Sequence, residues 1–202
     1  MVTINVMEPL FIGSHVAVDF LNTTLAPRGE AIELIGDGTT SLAWLVKAQL
    51  LEGEEAARLR RRFGVAALDE TAAEARKLRR WVEDWLARWR EAPRANYETE
   101  MRRLNELLGR ASSFRELALT KDGPRLVERM PIGEPADLLG LVALEIAKLV
   151  AQEEPALLKR CAGGECTLWF LDRTKAHRRM FCSAAACGNR AKVAAYRERQ
   201  RG

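Results

Sequence analysis

Every cysteine of this 202-residue chain lies between positions 161 and 187. They form two pairs, Cys161 with Cys166 and Cys182 with Cys187, with four residues inside each pair and fifteen between the pairs. Two short clasps of thiolates suit a tetrahedral Zn²⁺ site, where sulfur lies about 2.3 Å from the ion and no large core is needed. The loop chemistry agrees. Ala162, Gly163 and Gly164 let the first clasp curl with N–H groups aimed at sulfur. Ser183 is placed to cap a helix whose first N–H groups, on Ala184, Ala185 and Ala186, face the negative cluster. Four thiolates close the coordination sphere, so the expected cofactor is one structural Zn²⁺ rather than a catalytic ion with an open position. Two disulfides or four free thiols are the alternative; disulfide scaffolds are usually secreted and denser in cysteine, and the chain shows no signal peptide.

Charge is distributed unevenly around this segment. Residues 156–202 hold 11 Lys+Arg against 3 Asp+Glu, a net of +8, whereas residues 1–155 hold 21 against 25, a net of −4. A basic module on an acidic body is the footprint of a polyanion-binding segment rather than of a body that wraps nucleic acid as a whole. Arg178, Arg179, Asn189, Arg190, Lys192 and Arg197 are the candidate nucleic-acid contacts. Basic charge serves DNA and RNA alike, and arginine reads guanine edges while aromatic residues stack on unpaired bases.

A second cluster of polar residues lies near the start of the chain. At helical spacing His15, Asp19, Asn22 and Thr23 fall on one stripe, and Val16, Ala17, Val18, Phe20, Leu21 and Leu25 cover the rest of the circumference. Such a helix is mostly buried. Its stripe reads either as local capping bonds and solvated surface or as the lining of a pocket for a small-molecule effector.

Both clusters carry a resemblance. Arg178-Arg179-x-x-Cys182 followed by Cys187-Gly188-Asn189-Arg190-Ala191-Lys192 resembles the CGNR-type zinc finger, with Phe181 where that finger usually has tryptophan. The resemblance implies a nucleic-acid-binding finger of the kind found at the C-terminus of bacterial transcription regulators. Val18-Asp19-Phe20-Leu21-Asn22-Thr23 is similar to the opening motif of the ABATE domain, the usual N-terminal partner of that finger and a stress-linked regulator.

The elements that must position these residues are mostly helical. The pattern predicts helices over 14–25, 39–51, 54–63, 69–90, 97–109 and 134–152, with a short strand over 31–35. Trp81, Trp85 and Trp89 recur every four residues beside Leu78 and Leu86, an aromatic face suited to a core or a subunit interface. The basic runs Arg60-Arg61-Arg62 and Arg76-Lys77-x-Arg79-Arg80 have acidic neighbours and read as solvated helix faces. Thr120-Lys121-Asp122-Gly123 between 114–119 and 125–130 signals a hairpin. A helical turn over 155–160 leads into a finger of knuckle, ribbon (168–171 against 179–181) and final helix (183–200). No Gly/Ser-rich linker intervenes, so the two parts are expected to move together.

These readings predict a mainly α (α+β) protein, with a helical N-terminal regulatory domain over 1–155 bearing a small β-hairpin and a treble-clef-like zinc finger over 156–202. No P-loop, G-x-G-x-x-G after a strand, H-E-x-x-H or G-x-S-x-G is present, so no enzyme is expected. No apolar run approaches the roughly 18 residues needed to cross a bilayer, and no basic-then-apolar leader opens the chain, which predicts a cytoplasmic protein away from membranes. The expected function is DNA-binding transcription regulation, with room for an effector and a homodimer. The alternatives are an RNA-binding finger protein and an adaptor whose zinc merely folds a docking surface.

Overall fold

The structure, a computed structural model, describes residues 10–26 and 30–200. Its first helix, α1 (Val16–Leu21), is shorter than the sequence pattern suggests. Thr24–Leu25 leaves the helix as strand β1 to pair antiparallel with β2 (Ile32–Glu33), and the expected stop at Pro27 lies outside the described residues. Helix α2 (Gly38–Lys47) opens on a capping box in which Asp37 and Thr40 satisfy each other's backbone N–H groups. The two helices expected over 54–63 and 69–90 are joined as α3 (Gly53–Glu91), which bends at Gly64. Gly64 has φ 76° and ψ 171°, a backbone that a side chain would strain, so the glycine marks the bend.

Helix α4 (Glu98–Leu108) is followed by the antiparallel hairpin of β3 (Phe114–Thr120) and β4 (Gly123–Arg129), in register Leu117 to Leu126. Helix α5 (Leu138–Gln152) is the most apolar and packs against α1, α3 and α4. The core these helices enclose contains Phe20, Trp44, Trp85, Leu86, Trp89, Ile146 and Leu149. The aromatic face of α3 is thus core: Trp85 is 1% exposed, and its ring lies 5.5 Å from that of Trp81 and 6.4 Å from that of Tyr97.

Beyond α5 the chain makes a 3₁₀ turn (Pro155–Leu157) and then strand β5 (Leu158–Arg160), where a helical turn was expected. Strand β5 pairs antiparallel with β6 (Trp169–Leu171). The expected ribbon of 168–171 against 179–181 does not form, because β6 is already paired and the 179–181 backbone is held otherwise. Ala162 N–H donates to the Met180 carbonyl, and Arg179 N–H to the Asp172 carboxylate. Leu158, Trp169 and Leu171 all belong to the main core, which therefore continues from the helical body into the cysteine segment. A smaller core of Leu25, Leu34, Leu168 and Phe170 surrounds three of the cysteines. The described residues end in a π turn (Ala184–Gly188) and α6 (Asn189–Arg199).

Candidate metal centre and nucleic-acid interface

The knuckle, the 180–182 segment and the π turn bring the four cysteine sulfurs within 4.8 Å of one another. Cys166 Sγ lies 3.7 Å from Cys182 Sγ, which lies 3.6 Å from Cys187 Sγ. Those separations are far longer than a disulfide bond and match the roughly 3.8 Å edge of a tetrahedron of sulfurs 2.3 Å from one ion. None of the four cysteines is in a disulfide. Burial and the adjoining sulfurs push the Cys182 thiol well above its ordinary value, and burial raises Cys166 to about 11. Burial also opposes ionisation of Cys161, but N–H groups of Cys182 and Gly163, at 3.3 and 3.5 Å, bring its thiol below the usual value. Four buried sulfurs so close together cannot all ionise unaided; a divalent cation resolves the conflict. The donor set and spacing fit Zn²⁺.

The supporting shell is built from the same segment. Ser183 Oγ accepts from Ala186 N–H at 3.2 Å, which fixes the start of the π turn as the cap expectation requires. Arg190 donates to Cys187 Sγ at 3.0 Å, so its charge faces the thiolate cluster. Arg179 is committed inward. Its guanidinium donates to the carbonyls of Phe181, Cys182 and Ile12 and to Ser14 Oγ, and lies 4.4 Å from the centre of the Phe170 ring. Arg178, next to it, is exposed and has no side-chain partner.

Helix α6 packs chiefly on the π turn that precedes it, and every residue from Lys192 to Gln200 is exposed. Asn189, Lys192 and Arg197 project from it without intramolecular side-chain partners. An open groove of about 680 Å³ runs along the helix past Asn189, Arg190, Val193 and Arg197. The six candidate nucleic-acid residues therefore divide: Arg178, Asn189, Lys192 and Arg197 have no side-chain partner among the described residues, Arg190 is shared with the metal cluster, and Arg179 is half-buried and bonded inward.

The polar stripe on α1 occupies a seam between body and finger. Asn22 Nδ2 donates to the Trp169 carbonyl at 2.9 Å, and Trp169 N–H donates back to Asn22 Oδ1 at 2.8 Å. Asp19 accepts from Gly13 N–H at 2.7 Å, and His15 caps α1 through Ala17 N–H at 3.1 Å. Thr23 Oγ1 donates to the Phe20 carbonyl and accepts from Arg79 at 2.7 Å. Burial, opposed by the backbone N–H groups, raises the Asp19 carboxyl to about 6. Each side chain of the stripe thus makes at least one hydrogen bond to the protein itself. Arg79, in a run expected to be solvated, is buried at 3% exposure and grips Glu33 through two nitrogens at 2.8 and 2.5 Å. Its charge holds the Glu33 carboxyl below the usual range although burial alone would raise it.

Sequence reasoning missed one further residue of the finger. Asp172 is fully buried and accepts from Lys159 Nζ at 2.7 Å, Thr174 Oγ1 at 2.6 Å and the N–H groups of Thr174 and Arg179. These donors hold its carboxyl far below the usual range despite burial. An aspartate flanked by leucine and arginine gives no sign of this in sequence.

No helix among the described residues is long and apolar enough to cross a membrane. No curated protein is similar enough to the chain to be matched. Residues 158–200 match the CGNR zinc finger, and residues 14–153 match the ABATE family, whose description reads "Putative stress-induced transcription regulator". Neither is an enzyme family. With two thirds of its length matched and its four cysteines gathered for a metal, the chain belongs to the ABATE family and carries a C-terminal CGNR zinc finger.

Proposed function

We propose that this protein is a cytoplasmic transcription regulator that binds duplex DNA through its finger, with one Zn²⁺ per chain held by Cys161, Cys166, Cys182 and Cys187. Residues 156–202 act as the DNA-binding module and residues 1–155 as the regulatory body. The observation that carries this reading is the exposure of α6 from Lys192 onward, next to the four-cysteine cluster, with Asn189, Lys192 and Arg197 making no side-chain bond among the described residues. A helix of this width enters a major groove, cations on its flanks meet phosphates, and an asparagine amide pairs with adenine or fixes the backbone. The metal, when bound, fixes the base of the helix; Arg190 neutralises the thiolate cluster and presents the first turn.

The test is binding of the zinc-loaded full chain to duplex DNA, single-stranded DNA and structured RNA over a salt series. The reading expects tightest binding to duplex and a steep fall with salt, since each phosphate contact contributes about 0.9 to the slope. Tighter binding to RNA would make the finger an RNA reader. Weak binding insensitive to salt on all three would make it a protein-docking surface.

A further inference from the structure

The acidic body presents a cation, Arg90, at one place where it meets the finger. An open cleft of about 660 Å³ lies between the C-terminal end of α3, strand β5 and the 178–180 segment. Five of its nine lining residues are cations, among them Arg90 of α3, Arg160 of β5 and Arg178, and none is acidic, although residues 1–155 carry a net negative charge. Some of that charge is spent: Lys159 is paired with Asp172, Arg160 with Glu83, and Arg179 is internal. Among the described residues Arg178 has no partner, and the acidic partner of Arg90 is its exposed neighbour Glu91, at 3.3 Å. The guanidiniums of Arg90 and Arg160 lie 5.6 and 4.5 Å from the centre of the Trp169 ring, which fixes their placement at the cleft.

This cleft does not stand alone. Ala162 on its wall is followed in the chain by Gly163 and Gly164, which line a second depression of about 200 Å³ together with Arg190 and Ala194. Arg190 and Ala194 also line the groove along α6 that ends at Arg197. The second and third concave surfaces thus share Arg190 and Ala194, and the first adjoins the second along the chain at Ala162 and Gly163; Glu165 is the acidic residue on the path, which also passes Cys166 and Cys187 of the metal cluster. At their joint a Cβ on Gly164 would meet nothing within 4 Å, so the path crosses open backbone.

We infer that the phosphate backbone engaged by α6 continues over the knuckle into this cleft, so that Arg90 makes the N-terminal body part of the nucleic-acid interface. This rests on the proposed DNA-binding reading. A strand held at both ends of the path fixes the body relative to the DNA, so any change in the body that moves the end of α3 would be felt by the complex.

The experiment measures binding of the zinc-loaded full chain to duplex DNA between 0.1 and 1 M salt, for the unsubstituted protein and for Arg90→Gln, Arg178→Gln, Lys192→Gln and Arg61→Gln. Arg61 is an exposed cation without a partner among the described residues, far along α3 from the finger, and controls for a general loss of charge. Loss of one phosphate contact lowers the salt slope by about 0.9, which is about eightfold in affinity at 0.1 M salt and fades toward 1 M. Arg90→Gln, Arg178→Gln and Lys192→Gln should each show this, and Arg61→Gln should not. A normal slope for Arg90→Gln and Arg178→Gln beside a reduced one for Lys192→Gln overturns the extended path and leaves the finger reading intact. An effect of Arg61→Gln equal to that of Arg90→Gln also overturns it. Absence of duplex binding by the unsubstituted chain removes both. Zinc content and melting temperature, unchanged in each variant, establish that the fold is retained.

Discussion

Asn22 and Trp169, 147 residues apart, exchange two hydrogen bonds through the side-chain amide of one and the backbone of the other. The amide occupies the free edge of β6 as a neighbouring strand would, because a side-chain amide offers a donor and an acceptor side by side. Both ends are buried. Asn22→Ala leaves the N–H and carbonyl of Trp169 without partners in the seam between body and finger, at a cost of about 1–3 kcal/mol for each orphaned group. For a chain of this size the expected fall in melting temperature is roughly 5–15 °C. Asn22→Asp should be no better, because a carboxylate faces the Trp169 carbonyl. A melting temperature within about 2 °C of the parent would show that the seam is held by packing alone.

The second prediction concerns pH. Asp19 is buried with its carboxyl raised to about 6, burial being the main cause and the Gly13 N–H opposing it. A carboxyl whose folded pKa lies above its unfolded value, near 3.9, binds its proton more tightly when folded. Its contribution is therefore fully present below about pH 4 and is lost as pH rises through about 6. The loss amounts to about 2–3 kcal/mol. Asp19→Asn removes this titration, so the difference in melting temperature between variant and parent should shift in the variant's favour between pH 4 and pH 7. Parallel curves across that window would mean that the folded carboxyl titrates as it does in the unfolded chain.

Metal removal gives the third. One zinc per chain is expected, and Cys182→Ser should abolish tight binding, since three ligands remain and the lost sulfur lies 3.7 Å from that of Cys166 and 3.6 Å from that of Cys187. Chelation should not unfold the body. Leu158, Trp169 and Leu171 are packed in the main core, away from the small cluster around the cysteines, so stripping the ion releases the knuckle, the π turn and α6. Far-UV circular dichroism should fall modestly and the tryptophan fluorescence, dominated by the core, should change little. Complete cooperative unfolding on chelation would show that the two cores are one unit.

What the sequence makes legible follows from the range of the interactions. The cysteine spacing, the Ser183 cap, the Asp122-Gly123 hairpin and the α3 tryptophan face rest on residues within a few positions of one another, and each is found in place. The long-range partners are not legible. Arg79 sits in a run of charges that any helix surface could carry, and only the fold places Glu33 and Thr23 beside it. The strand partner of β6 depends on where the chain enters the finger, which no local pattern encodes. Arg178 and Arg179 are identical in type and adjacent, yet one faces solvent and the other closes the finger on the body.

That pair supplies the last prediction. Arg178→Gln and Arg179→Gln remove the same charge from neighbouring positions, so a purely electrostatic role predicts the same result for both. The structure separates them. Arg179→Gln leaves the carbonyls of Phe181, Cys182 and Ile12 short of a donor and removes the cation from the Phe170 ring. Hydrogen bonds from a charged donor contribute about 1.5–3 kcal/mol and a desolvated cation over a ring adds about 1–2. Arg179→Gln should therefore lower stability by on the order of 3 kcal/mol and make the zinc easier to strip, because the Cys182 carbonyl it holds is part of the metal loop. Arg178→Gln should leave melting temperature and chelation rate unchanged while weakening nucleic-acid binding. Calorimetry with a chelator time course on both variants decides: equal stability of the two would mean that the inward bonds of Arg179 are not formed in solution.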